Sequence, residues 1–335
     1  MHTGFGHKEN AFTLLRYLFA FSLIVWHFSV LMGKDYFWPL TADNCVQGFF
    51  ILSGFLTMVS FERPFRLSAY VKRRFCRTVL PYTTAVIVCF AAGAVISTLP
   101  LKEFFFHPDS LRYLLCNLVF LNFLQPDLPG VFASNYFTDV NGALWSMKVE
   151  LLFYCTVPIL HSLFRRFRPL PVLTVLFVLS IGYNELFRYL YDSTKDVFYI
   201  FMKRQIPGQY VYFCGGMMAY YLYDYAKTRK AATAVIVLAC WSMSLFINQF
   251  SYINAISYSL LLVFLAYRIP LYVPAGRLPN LTYGIYLYHF PVIQIFVATR
   301  LLQQYPVLCF LCVTLATLIP AWAAHKWIEQ PLHKR

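Results

Sequence analysis

The sequence predicts an all-α polytopic membrane protein of about ten transmembrane helices, and three observations carry that prediction. Of its 335 residues, 59% are hydrophobic and only 13% are charged, against about 25% charged in soluble domains. Apolar runs long enough to cross about 30 Å of hydrocarbon recur from residue 12 to residue 325. The segments between these runs leave no room for a soluble domain of ordinary size.

The candidate spans, in order, are 12–32, 44–61, 78–98, 143–162, 171–187, 209–224, 232–249, 252–268, 280–299 and 305–325. The first contains Arg16 and is followed by no small-residue cleavage site, so it reads as a retained span and not a secretory signal. In the long connection 99–142, the apolar stretch Leu114 to Leu124 is expected to lie at the interface or re-enter without crossing. No internal repeat or interdomain linker interrupts the chain. Residues 1–335 therefore read as one membrane domain with no fused soluble domain.

Charge orients the bundle. An even number of spans puts both termini on one side. With both in the cytoplasm, the inner segments hold 18 of the 28 Lys and Arg residues and the outer segments 8, which favours an N-in, C-in, multi-pass topology. The formal net charge of +14 is spread through short clusters between apolar runs. It forms no single basic face, so nucleic acid is not the expected partner; membrane lipid is. Nine cysteines scatter mainly through apolar runs. The pair Cys309 and Cys312 has no second pair or histidine partners nearby, so it reads as packing and no metal site is expected.

Six stretches could carry chemistry. In LLRYLFAFSLIVWHFS, Arg16 and His27 are eleven residues apart, a spacing that returns both to nearly one helix face about 16 Å apart. Ionisable groups in a spanning helix are costly and tend to face a cavity or pathway. In the second span, Ser53 and Gly54 form a small-residue patch suited to close helix packing, without the GxSxG setting of a nucleophilic serine. At the cytoplasmic entry to the third span, Arg74 and Arg77 lie three apart on what an α-helix would make one face. They suit either anionic lipid and topology or a phosphate-rich ligand such as a nucleotide or coenzyme A. Lys148 and Glu150 interrupt the fourth span but, two apart, do not face each other. Glu150 is therefore expected to meet another helix or substrate, with Arg16 and His27 as natural partners. His289, flanked by Tyr283, Tyr286 and Tyr288, reads as part of a tyrosine-rich stripe that glues helices together. At the inner end of the last span, Glu329 is expected to pair with an inner arginine.

Together these stretches resemble the acyltransferase family 3 of integral membrane acyltransferases, over nearly the whole chain and in order. The resemblance rests on Arg16 with His27, on the FFxLSGF stretch from Phe49 to Phe55, and on the RxxR at Arg74 and Arg77. It continues through Trp145, Ser146, Glu150 and Tyr154, then Tyr283 to His289, then Ile328 to Pro331. It implies an O-acyltransferase of the bacterial inner (cytoplasmic) membrane. Such an enzyme moves an acyl group, most often acetyl, from cytoplasmic acyl-coenzyme A to a hydroxyl of a cell-envelope glycan. Carried over, His27 is the catalytic imidazole, as general base or transient acyl carrier. Arg74 and Arg77 bind the donor, Arg16 lines the path between, and Glu150 is a necessary polar group. Read from the residues alone, a transporter or flippase using Arg16, His27, Glu150 and His289 as a proton relay is the alternative. The repeats common in such transporters are not visible.

Overall fold

The computed structural model describes residues 11–61, 64–229, 251–268 and 279–330, and among them it is helical with no strand. Helix α1 is Phe12–Leu31 and α2 is Ala42–Phe61. Helix α3, Leu67–Arg74, passes through a π-helical turn, Phe75–Val79, into α4, Leu80–Ile96. Two short helices follow, α5 (Leu101–Phe106) and α6 (Pro108–Leu118), before α7 (Trp145–Arg166), α8 (Pro169–Thr194) and α9 (Val197–Lys203). Then come α10 (Ile206–Thr228), α11 (Ser251–Arg268), α12 (Thr282–Ala298) and α13 (Pro306–Ala324), which runs into a second π-helical turn, His325–Glu329.

The expected spans therefore coincide with helices, apart from 232–249, which lies outside the described residues. Among the described residues, six helical stretches are long and apolar enough to cross a membrane on those grounds alone. Their outward surfaces suit lipid: Val175, Val178, Leu179 and Leu186 of α8 and Leu311, Leu315 and Ile319 of α13 are all exposed. In water such surfaces would be a liability; in hydrocarbon they cost nothing. The stretch around Leu114 to Leu124 does not cross. It is an eleven-residue helix, α6, and a short 3-10 turn at Asn122–Leu124, and eleven residues rise only about 16 Å.

The chain divides into two compact units, one of residues 1–16, 46–67 and 152–278, the other of residues 17–45, 68–151 and 279–335. In the first, Gly54 and Gly216 let α2 and α10 approach backbone to backbone. A Cβ on Gly54 would collide with the Phe213 carbonyl, and one on Gly216 with that of Ile51. The Ser53–Gly54 patch thus serves the close packing its composition suggests. In the second unit, Gly284 of α12 plays the same part against α13, where a Cβ would fall 2.7 Å from the Ala321 Cα.

The second unit also holds the outer connection, residues 97–141, which is fastened by buried amides. Asn117 donates to the carbonyls of Tyr113 (2.9 Å) and Gln125 (3.0 Å), and its own carbonyl accepts from the Tyr82 hydroxyl at 2.8 Å. Gln294, fully buried in α12, donates to the carbonyls of Phe137 and Asp139, each at 2.8 Å, and accepts from Asn135 at 2.8 Å. Where such a loop is buried, its main-chain groups need partners from the protein itself. Replacing Gln294 with Leu leaves the Phe137 and Asp139 carbonyls unpaired and is expected to lower stability by about 2 to 4 kcal/mol, read by thermal unfolding in detergent.

Asp139, on the same strap, is held above the ordinary carboxylate range, chiefly by burial and secondarily by the charge of Asp127. A carboxyl whose folded pKa is raised opposes folding once it ionises, so this contribution costs stability as pH rises from the unfolded value through the folded one. The Asp139→Asn protein should accordingly gain on wild type as a melting series moves from acid to neutral pH. Parallel curves would show that Asp139 carries no such penalty.

Candidate active site

Helix α1 carries both Arg16 and His27 on twenty unbroken residues. Arg16 falls in the first unit and His27 in the second. The geometry around His27 is built within the second unit. His27 is half-buried, and its Nδ1 lies 3.0 Å from Nε2 of His289 and 3.0 Å from the carbonyl oxygen of Leu23, one turn back. The imidazoles stand 4.9 Å apart between ring centres at 47°, and Phe290 meets His27 edge-on at 5.3 Å. His289 itself has no exposed surface.

Why α12 presents His289 there follows from its neighbours. All of Gly284 to Pro291 is buried, and hydrogen bonds tie this helix to its neighbours. The Tyr283 hydroxyl donates to the carbonyl of Thr78 at 2.9 Å, in the π-helical turn before α4. The Tyr286 hydroxyl donates to the Ala143 carbonyl at 2.6 Å and contacts the Ser146 hydroxyl at 2.5 Å, at the start of α7. Asn141 donates to the Leu287 carbonyl at 2.8 Å. The stretch read as helix glue is glue, and the same bonds lock the register that sets His289 against His27.

Glu150 lies one turn beyond Ser146 on the same face of α7, close enough to Tyr286 for its charge to act on that hydroxyl. Its half-burial is shared by Lys148. Lys148 is the fourth residue of α7, and its amine sits 4.5 Å over the Phe123 ring. That cation–π contact explains a lysine in an apolar run: near the start of α7, the face of the Phe123 ring gives its charge a partner.

Arg74 and Arg77 bracket the π-helical turn Phe75–Val79. Arg74 is half-buried with its guanidinium 5.4 Å from the Tyr70 ring, whereas Arg77 is exposed. The wider π turn advances less rotation per residue than an α turn, so the two side chains splay further apart than α-helical spacing predicts. The expectation of one shared α-helical face is corrected to that extent. A second correction concerns Glu329. Among the described residues its Oε2 meets His325 Nδ1 at 3.2 Å, within its own π-helical turn, and not an arginine. The i, i+4 spacing in the sequence already held that signal. Cys309 is buried and unoxidised, and its thiol packs toward the Leu301 carbonyl at 3.5 Å. Among the described residues no three His, Cys, Asp or Glu side chains converge as metal ligands.

The sequence reading singled out His27 and missed its partner. His289 was visible as a mid-span histidine, but nothing local indicates which of two helices 262 residues apart will meet. Tyr286→Phe tests the framework. It strands the Ala143 carbonyl and the Ser146 hydroxyl, and should cost about 1 to 3 kcal/mol. Ser146→Ala, which leaves the Tyr286–Ala143 bond intact, should cost less. Equal losses in thermal unfolding would count against this reading of the network.

The chain is similar to known proteins over nearly its whole length. A family model described as an acyltransferase domain, that of acyltransferase family 3, matches residues 9–326. The chain is 22% identical over 323 residues to a protein of Shigella phage Sf6 named O-acetyl transferase, covering 93% of each. It is 25% identical over 356 residues to nodulation protein 10 of Rhizobium leguminosarum bv. viciae, covering 98% of this chain and 94% of that one. No solved structure matches at a significant level.

Proposed function

The chain belongs to the acyltransferase family 3 and is an O-acyltransferase enzyme of a membrane, and on that premise we propose that it acylates a hydroxyl of a cell-envelope glycan from cytoplasmic acyl-coenzyme A. Acetyl is the expected group, in keeping with the phage relative's name. The bacterial inner membrane is the expected location. Family membership favours transfer over the transporter or flippase reading.

The observation that carries the chemistry is His27, a half-buried imidazole in the first span whose Nδ1 is engaged at 3.0 Å by His289. A neutral imidazole with a lone pair on one ring nitrogen is suited to general base work. His27 takes the proton of the acceptor hydroxyl as that oxygen attacks the thioester carbonyl. The new C–O bond forms, the C–S bond breaks, and the departing coenzyme A thiolate takes the proton back from His27. No proton is gained or lost by the enzyme over the cycle.

Arg74 and Arg77 bind the donor's phosphates from the cytoplasmic side, where planar guanidinium groups make charge-assisted bonds to phosphate. Arg16 lines the path toward His27, and Glu150 is a required polar group beside Tyr286.

Purified protein given radiolabelled acetyl-coenzyme A and an envelope glycan fraction should transfer label to the glycan. His27→Ala should lower transfer by about 10²- to 10⁴-fold, the usual worth of a general base. Arg77→Ala should raise KM for the donor more than it lowers kcat. Undiminished transfer by His27→Ala would overturn the assignment.

A further inference from the structure

The neighbours of the paired imidazoles determine which ring nitrogens carry hydrogen. His289 Nδ1 lies 3.0 Å from the Ile285 carbonyl oxygen and 2.8 Å from that of Tyr286. Carbonyl oxygens only accept, so Nδ1 is the N–H of this imidazole. Neutral His289 then presents a lone pair at Nε2, and that lone pair faces His27 Nδ1 at 3.0 Å. His27 Nδ1 also faces the Leu23 carbonyl oxygen at 3.0 Å. Both neighbours accept, so His27 Nδ1 carries a hydrogen shared between them. The opposite arrangement, a cationic His289 donating to a bare His27 Nδ1, would bury a charge in a residue with no exposed surface and set two lone pairs against each other at Leu23. With Nδ1 committed, the free lone pair of His27 is on Nε2.

We propose that His289 is a positioning residue: it fixes His27 in the Nδ1–H tautomer, so that Nε2 is the atom that takes the acceptor hydroxyl's proton. This rests on the reading of His27 as general base. When Nε2 takes the proton, the resulting imidazolium still donates Nδ1–H to His289 Nε2, and the bond becomes charge-assisted and stronger as the positive charge forms. The proton leaves again from Nε2 to the thiolate. His289 neither gains nor loses one. Its part is that of an orienting acceptor behind a catalytic imidazole, filled here by a second neutral imidazole whose own tautomer is held by two main-chain carbonyls.

The test has two independent arms on the full-length protein. In the first, ¹⁵N-histidine spectra of the wild type are assigned with His27→Ala and His289→Gln. Both rings should be neutral, with hydrogen on Nδ1 and none on Nε2. A wild-type His27 carrying its hydrogen on Nε2 would overturn the proposal whatever the activity.

In the second arm, His289→Leu should lower kcat by about 10²-fold or more while KM for acetyl-coenzyme A stays within about threefold. Its His27 should lose the exclusive Nδ1–H form. His289→Gln can place an amide oxygen where Nε2 stood, and should recover kcat to within about tenfold of wild type. Wild-type rates in His289→Leu, or failure of a folded Gln variant to exceed a folded Leu variant, would also overturn the proposal. Should the Leu variant not fold, the wild-type spectrum and the Gln variant still decide. A wild type that transfers no acyl group in any assay would sink the functional reading instead, and the spectrum would still judge the tautomer.

Discussion

A polar side chain inside a bilayer has no water to fall back on, so it must find its partner within the protein, and one helix answers most of that demand. Tyr283, Tyr286, His289 and Gln294 all project from α12. They reach, in turn, the turn before α4, the start of α7, the last third of α1 and the connection 97–141. Each bond is modest in net energy, but each would leave a costly orphan if broken. The helix is thereby held in one rotation and one height. His289 faces His27 because the three other contacts leave it nowhere else to point.

The same constraint explains how much could be read from the chain. Spans were legible because twenty or so apolar residues are a purely local signal. Arg16 and His27 were legible because both lie on one helix, where the period of 3.6 settles which residues share a face. The partner of His27 was not, since helix pairing in a membrane is decided by small residues and hydrogen bonds contributed from distant segments. Gly284 against Ala321 and Tyr286 against Ser146 are such contacts. Neither leaves a periodic trace in the sequence. Lys148 lies between these cases. Its oddity was visible, and its explanation, the ring of Phe123, required the outer connection to fold back.

The winding of α4 and α13 was likewise hidden. A π-helical turn depends on which carbonyl each N–H finds, and that is settled by packing and not by residue preference. The two π turns fall at opposite ends of their helices, one before α4 and carrying Arg77, the other after α13 and carrying Glu329. Such turns are uncommon and gather at functional sites. Their presence at the ends of α4 and α13 fits a region where side-chain direction matters more than helix regularity.

The turn at Phe75–Val79 also has a consequence for how this chain can vary. A π turn accommodates one residue more than the α turn it replaces, so the five residues here advance the chain by about the rotation of four in an α-helix. Removing one residue between Phe75 and Val79 and restoring α winding would therefore leave Leu80–Ile96 facing as before, with Tyr82 still turned to the carbonyl of Asn117. The same deletion in an α-helical stretch would turn everything beyond it by about 100°. This turn is thus a place where the chain can change length without changing the direction of the helix that follows.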